Sequence, residues 1–256
     1  MNLPPLTDNL TDAPGHLDRY GLALISDQIS PQALRVAREA TYAAAEEDRR
    51  QKRQDSDFAL DHGVRNVRVW NLLNRHAIFR DLVQLPSVIE LLREVIGWPA
   101  LLGNLSANIA LSDSDGGVLH ADQGYMPQPW PAKPQGLNVA LLLDDFTSSN
   151  GATEVIPGSH NPPNYKPPNE AAIPVTAPAG TLMVFESRVW HRTGRNRTTL
   201  PRAALFGWYT RPIYRTQENW FLSLDPKVAE TASDTLLTLL AYRTEGFGLV
   251  YGKSPR

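Results

Sequence analysis

Three side chains in this chain can hold one metal ion. His120 and Asp122 stand two residues apart in His120-Ala121-Asp122, and His191 follows 69 residues beyond Asp122, inside Val189-Trp190-His191-Arg192-Thr193-Gly194. Two imidazoles and one carboxylate in this order form the facial ligand set of a mononuclear non-heme Fe(II) site that keeps open coordination positions. Arg202 stands eleven residues past His191, and a guanidinium suits the carboxylate of an acidic co-substrate. The combination implies oxidative chemistry that uses iron, 2-oxoglutarate and O2.

The spacing also dictates what must carry these groups. Alternate residues of an extended strand leave on one face, so His120 and Asp122 can share a metal from a strand, whereas i and i+2 diverge on a helix. Asp113-Ser114-Asp115-Gly116-Gly117 is a turn signal, so a short strand is expected from Val118, ending at Gln123-Gly124-Tyr125-Met126-Pro127. A second strand is expected from Thr181 to Glu186, carried on to His191 and stopped by the turn Thr193-Gly194-Arg195-Asn196. The return strand, 202–209, places Arg202, Ala204, Phe206 and Trp208 on one face. A hairpin would then bring Arg202 beside the strand of His191. An arginine on an apolar face is costly without an anion, and the distal carboxylate of 2-oxoglutarate fits. His16, His62, His76 and His160 lack comparable context and are read as non-ligands.

These residues resemble the phytanoyl-CoA dioxygenase family of Fe(II)/2-oxoglutarate oxygenases, from about Leu17 to about Gly252. The likeness is carried by Tyr20 to Ile25 with Ile29-Ser30-Pro31, by Val88 to Gly97, by the loop Asn150-Gly151-Ala152-Thr153 through Pro157-Gly158-Ser159-His160, and by His191 to Arg202. The resemblance implies a mainly β fold, a double-stranded β-helix (jelly roll, cupin-like) buttressed by α-helices, where periodicity alone gives an antiparallel β-rich core. It implies His120, Asp122 and His191 as iron ligands, Arg202 as the grip on the co-substrate, and Thr193 as a hydroxyl helper. Asn108, Thr153 and Phe185 are the further co-substrate contacts it implies. Halogenating relatives replace the carboxylate ligand with a small residue; Asp122 is present, which favours hydroxylation or a related oxidation.

Composition narrows the class. The chain has 256 residues, 42% hydrophobic and 20% charged, with a net charge of −2. That length is consistent with one oxygenase domain, 1–256, with a barrel core at about 101–210 and a loose N-terminal segment at 1–15. The near-neutral charge makes no case for a nucleic-acid partner, and Arg192, Arg195 and Arg197 are read as a solvated loop. There is no cysteine, hence no disulfide framework and no thiolate ligand. Without a long apolar run or leader, no membrane partner is expected and a cytoplasmic enzyme is the default; oligomeric state stays open.

Helices flank the strand-rich middle. Ser30-Pro31 should cap a helix to about Arg50, with a charged, solvated end at Glu46 to Arg53. Ser87-Val88-Ile89-Glu90 reads as a capping box and Gly97 as its helix stop. Gly136 to Leu143, nearly all apolar, suits a strand buried on both faces, and Asp225-Pro226 should cap a last helix through Leu240. Two proline-rich stretches, 127–134 and 157–168, read as loops at the barrel mouth.

The expected function is a dioxygenase that oxidises a C–H bond of a small organic molecule, with succinate and CO2 released. Arg68, Trp70, Asn71, Tyr125, Trp130 and Trp208 are the candidate substrate residues, and aromatic groups near the mouth favour a partly apolar, natural-product-like molecule. The alternatives are a non-oxidative cupin-like metal protein (hydrolase, isomerase or binding module), which has no use for a buried Arg202, and a silent 2-oxoglutarate sensor.

Overall fold

The computed structural model describes residues 1–52, 65–162, 166–244 and 246–256. His62 and residues 163–165 of the second proline-rich stretch lie outside the described residues.

The chain opens with β1 (Leu6–Thr7), α1 (Ala13–Tyr20), β2 (Leu22–Ile25) and α2 (Pro31–Gln51). The expectation of a loose first segment is overturned. β1 pairs in parallel with Leu24–Ile25, and Ala13 is fully buried. α2 starts as its sequence demands: Pro31 sits in the first turn and the Ser30 side chain accepts a hydrogen bond from the Ala33 amide. Its charged end is not wholly solvated, because Asp48 is buried and meets Arg75 Nη2 at 2.7 Å.

Next come β3 (Asn66–Val69), α3 (Leu72–Arg75), α4 (Ala77–Leu82), α5 (Pro86–Val95) and β4 (Leu101–Ala110). The capping box at Ser87 is not used: α5 begins two residues earlier than that box implies, with Leu85 at the cap and Pro86 in the first turn. Gly97, at φ 90°, ends it by donating to Leu92 O. The remaining strands are β5 (Gly136–Leu142), β6 (Thr153–Val155), β7 (Ile173–Pro174), β8 (Leu182–Glu186), β9 (His191–Thr193) and β10 (Arg202–Thr210). A short α6 (Trp220–Ser223) precedes Asp225, and the single C-terminal helix expected after it is instead two short ones, α7 (Pro226–Thr231) and α8 (Asp234–Leu239). Ser233 caps α8 through Leu236 N, a local start signal that competes with continuation of α7.

Two sheets face each other in a jelly roll. The large one has the order β1-β2-β8-β5-β10-β4-β3, and the small one β7-β6-β9. Strand alternation sorts the large sheet into two faces. Its outer face, including Leu105, Ile109, Val139, Leu141, Val184 and Leu205, packs with Phe79, Leu91 and Leu92 of the helices. Its inner face, including Leu24, Ala140, Leu142, Met183, Phe185 and Ala204, packs against Ala152 and Val155 beside the small sheet. β5 is buried at every position, as its apolar run implies.

The inner face carries one row that the site depends on. Pairing places Asn104 of β4 opposite Trp208 of β10, Trp208 opposite Asn138 of β5, and Asn138 opposite Phe185 of β8. Two glycines make room for the indole. A Cβ on Gly103 would lie 2.6 Å from Trp208 Cε3, and one on Gly136 would lie 2.6 Å from Ser187 Oγ and 3.0 Å from Trp208 Nε1.

Candidate metal centre and substrate cavity

His120 does not sit in a strand of its own, as the sequence suggested. It forms one antiparallel bridge with His191, with His120 N donating to His191 O at 2.9 Å and His191 N to His120 O at 2.8 Å. Ala121 is extended (φ −122°, ψ 133°), and Asp122 then opens a tight 3-10 turn to Tyr125. Two-residue alternation therefore holds for just long enough. Ala121 points into a small apolar cluster with Met126, Trp130, Ile156 and Trp190, while His120 and Asp122 point the other way.

The three ligand atoms converge. All lie within 4.8 Å of one another, with His120 Nε2 3.6 Å from Asp122 Oδ1 and His191 Nε2 3.8 Å from Asp122 Oδ2. The imidazole centroids are 4.4 Å apart. Each Nδ1 meets a carbonyl, Val118 O at 2.7 Å for His120 and Val189 O at 3.0 Å for His191. A carbonyl only accepts, so each Nδ1 must carry a proton, and each ring in its neutral form presents the Nε2 lone pair to the centre.

Asp122 is equally prepared. Burial disfavours its charge, but positive charge at His191, the hydrogen bond and positive charge that His120 offers when protonated, and the hydrogen bond of Asn138 together hold its pKa at about 2, and a cation held between the rings would favour the carboxylate in the same sense. Asn138 Nδ2 donates to Asp122 Oδ2 at 2.6 Å. The donor set of two neutral imidazoles and one ionised carboxylate fits a ferrous ion with positions left open. Phe185 lies edge-on to His191, with centroids 4.7 Å apart.

His191 begins β9 rather than closing the strand before it; β8 stops at Glu186 and residues 187–190 turn. The expected hairpin is also absent. β9 pairs with β6 in the small sheet, whereas β10 pairs with β4 and β5 in the large one. Arg202 thus approaches from the opposing sheet. Its side chain is fully buried, with Nη1 donating to Asn108 Oδ1 at 3.2 Å, Nη2 donating to Gly151 O, and Cζ 4.6 Å from the Phe146 ring centroid. Asn108 also donates to Asn66 Oδ1 at 2.8 Å.

A cavity opens over the triad. Thr153 and Thr193, opposite each other across β6 and β9, form part of its wall with His120, Asp122 and His191. Arg202, Asn108 and Phe185 are buried beneath that surface rather than on it. Of the expected substrate residues, Arg68, Trp70, Tyr125 and Trp208 line the cavity. Arg68 Nη1 reaches Ser106 Oγ at 3.3 Å, and Trp208 Nε1 donates to Ser187 Oγ at 2.9 Å.

Two of those expectations fail. Asn71 is exposed at the cap of α3 in the left-handed region (φ 59°) and meets Asn74, a job that asparagine performs because it tolerates that backbone. Trp130 is 7% exposed and packs in the apolar cluster behind Ala121, away from the cavity wall. The reading of Arg192 as a solvated loop residue is also corrected. It belongs to β9, ion-pairs with Glu154 across β6 at 2.7 Å, and lines the cavity, whereas Arg195 is exposed.

Sequence reasoning missed Asn138, Ser106, Asn104 and Gln217. A signal existed for the first: Asn138 is the lone amide in an otherwise apolar buried strand, where a polar group needs a partner. His76 and His160 have structural uses. His76 Nδ1 accepts from Ile78 N at 3.1 Å, and His160 Nε2 lies 3.0 Å from Asp18 O.

With this geometry in view, residues 17–204 match the family model described as phytanoyl-CoA dioxygenase. The chain belongs to that family. It is a 2-oxoglutarate-dependent, non-heme iron dioxygenase. The chain is 34% identical over 254 residues to the dioxygenase af480 of Aspergillus fumigatus, covering 94% of this chain and 80% of that one. In fold it is similar to HygX of Streptomyces hygroscopicus, solved with nickel, 2-oxoglutarate and hygromycin B. That match has a TM-score of 0.62 and 16% identity, over 80% of this chain and 88% of the other. It is also similar to EctD of S. alaskensis with bound Fe, at TM-score 0.64 and 19% identity, over 82% and 84%. Among the described residues, no helix is long and apolar enough to cross a membrane.

Proposed function

We propose that His120, Asp122 and His191 hold the iron, that Arg202 with Thr193 receives the distal carboxylate of 2-oxoglutarate, and that the enzyme hydroxylates a C–H bond of a small organic molecule of secondary metabolism. The observation that carries the reading is the convergence of both Nε2 atoms on Asp122 while both Nδ1 atoms are tied to backbone carbonyls. Iron, 2-oxoglutarate and O2 together supply the oxidising power, with succinate and CO2 released.

The chain's own residues then bind, orient and exclude. Asn138 holds Asp122 in its ligating orientation, and Phe185 packs against His191 on the side of the core. Arg202 stays in place through Asn108 and Gly151, and Thr153 follows that glycine by two residues on the cavity wall. The C–H bond to be oxidised lies in the space between the triad and the aromatic wall of Trp70, Phe206 and Trp208. A small-molecule partner fits a cavity of this kind. HygX, crystallised with hygromycin B, shares the fold and lends support to a natural-product substrate.

The test is anaerobic addition of Fe(II) and 2-oxoglutarate to the purified protein. A weak visible charge-transfer band is expected, absent in His120→Ala. Arg202→Ala should raise the 2-oxoglutarate requirement by about 100-fold, as loss of a buried charge-assisted pair does. An undiminished band in His120→Ala, or an unchanged requirement in Arg202→Ala, overturns the assignment. Succinate formation under O2 separates an enzyme from a silent sensor.

A further inference from the structure

At the far end of the cavity from the metal triad, two amides meet. Asn104 of β4 donates through Nδ2 to Gln217 Oε1, and both residues line the cavity. Gln217 belongs to the segment after β10, which is tied to β4 by Glu218 N donating to Gly103 O at 2.9 Å. One amide–amide hydrogen bond uses one N–H of Asn104 and one lone pair of Gln217. The atoms it leaves untouched are an acceptor on one residue, Asn104 Oδ1, and a donor on the other, Gln217 Nε2. Turning over both amides exchanges the roles and leaves the same pair, so the conclusion does not depend on which atom is oxygen.

We infer that this pair recognises a substrate carrying an N–H and a C=O held syn, as in a lactam, a cyclic imide or a primary carboxamide. Such an edge returns one donor and one acceptor to the pair. An ester or lactone has no donor to offer, an N-alkylated lactam has lost it, and a carboxylate presents two acceptors. Because Gln217 is exposed, water can replace a missing partner there, and the discrimination expected is that of a single hydrogen bond.

The rest of the molecule is positioned by the row Asn104–Trp208–Asn138. Adjacent strands are about 4.8 Å apart, so Asn104 and Asn138 stand about 10 Å from one another, with Trp208 between them. Asn138 touches Asp122. The indole is locked by Ser187 Oγ and by the contacts that Gly103 and Gly136 allow. A flat ring system anchored by its amide edge would lie along Trp208 and turn its opposite side toward the triad. The inference rests on the proposed oxygenase site for its reactive end, while the amide pair sets what that site accepts.

The experiment uses three near-isosteric probes with the full-length protein loaded with Fe(II) and 2-oxoglutarate without O2: 2-quinolone, N-methyl-2-quinolone and coumarin. Calorimetric titration should give 2-quinolone an affinity at least about tenfold above the other two, the order of one lost hydrogen bond. Gln217→Leu, at an exposed position, should level the three while the charge-transfer band persists. Equal binding of all three by the parent protein, no binding of any, or discrimination retained in Gln217→Leu overturns the inference. The titrations are repeated on metal-free protein. Discrimination is read as binding in both forms, so a missing charge-transfer band condemns the oxygenase assignment alone, and lost discrimination condemns the amide edge alone.

Discussion

Asn138 Nδ2 lies 2.6 Å from Asp122 Oδ2, so a buried strand of the large sheet holds the carboxylate that completes the candidate metal centre. Asp122 itself hangs on a 3-10 turn, a less rigid support than β5. Asn138→Leu keeps the side-chain volume and removes the donor. Affinity for Fe(II), or for Co(II) as a spectroscopic stand-in, should fall by about 10–100-fold, the range typical for loss of a group that orients a ligand. The denaturation midpoint should move much less than the affinity. Unaltered metal affinity would show that Asp122 needs no such support.

Arg188 and Glu186 form a buried pair, each 4% exposed at the side chain, and Arg188 Nη1 also donates to Pro131 O at 3.1 Å and Ala132 O at 2.8 Å. The arginine thereby pins the proline-rich loop that follows the metal motif. Arg188→Ala leaves Glu186 buried without its charge partner and should lower stability by about 3–5 kcal/mol in urea unfolding. Glu186→Gln combined with Arg188→Met removes both charges and should recover part of that loss. If Arg188→Ala unfolds at the parent midpoint, the pair contributes nothing.

Gly103→Ala should disturb the indole of Trp208, because the new methyl would start 2.6 Å from Cε3. A change in near-ultraviolet circular dichroism is expected, with weaker binding of any substrate that lies on Trp208. The 2-oxoglutarate charge-transfer band should remain, since Arg202 lies six residues from Trp208 at the other end of β10, opposite Ala110 of β4, and Thr153 and Thr193 stand on the small sheet. An unchanged dichroism spectrum would mean that the backbone of β4 yields instead.

Tyr209 is 2% exposed, and its hydroxyl donates to Val83 O at 2.8 Å. This bond ties β10, the strand of Arg202, to the helical layer after α4. Tyr209→Phe should cost about 1 kcal/mol or somewhat more, since the buried carbonyl loses its donor. Equilibrium unfolding measures it, and a stability equal to the parent's would show that Val83 O finds another partner.

Much of this chemistry was open to inspection in the chain. His120, Asp122 and His191 announce a metal by residue type and order, and the alternation Arg202, Ala204, Phe206, Trp208 assigns β10 its inner face. These features are local, or depend on donor chemistry that few other sets satisfy. Proline and serine likewise mark the start of α2, because the cap bond closes within three residues.

What the chain could not disclose is which strands lie side by side. Pairing between strands is a long-range choice made by the burial of whole faces, so the turn after Thr193 looked like a hairpin while packing sent β9 and β10 to opposite sheets. The same cause hid Asn138, Asn104 and Gln217. Each is an ordinary amide until β10 settles between β4 and β5 and draws one of them to the carboxylate and the other two to each other. Trp130 and Asn71 erred the other way, since an aromatic ring or an amide near a loop takes its purpose from neighbours that folding supplies.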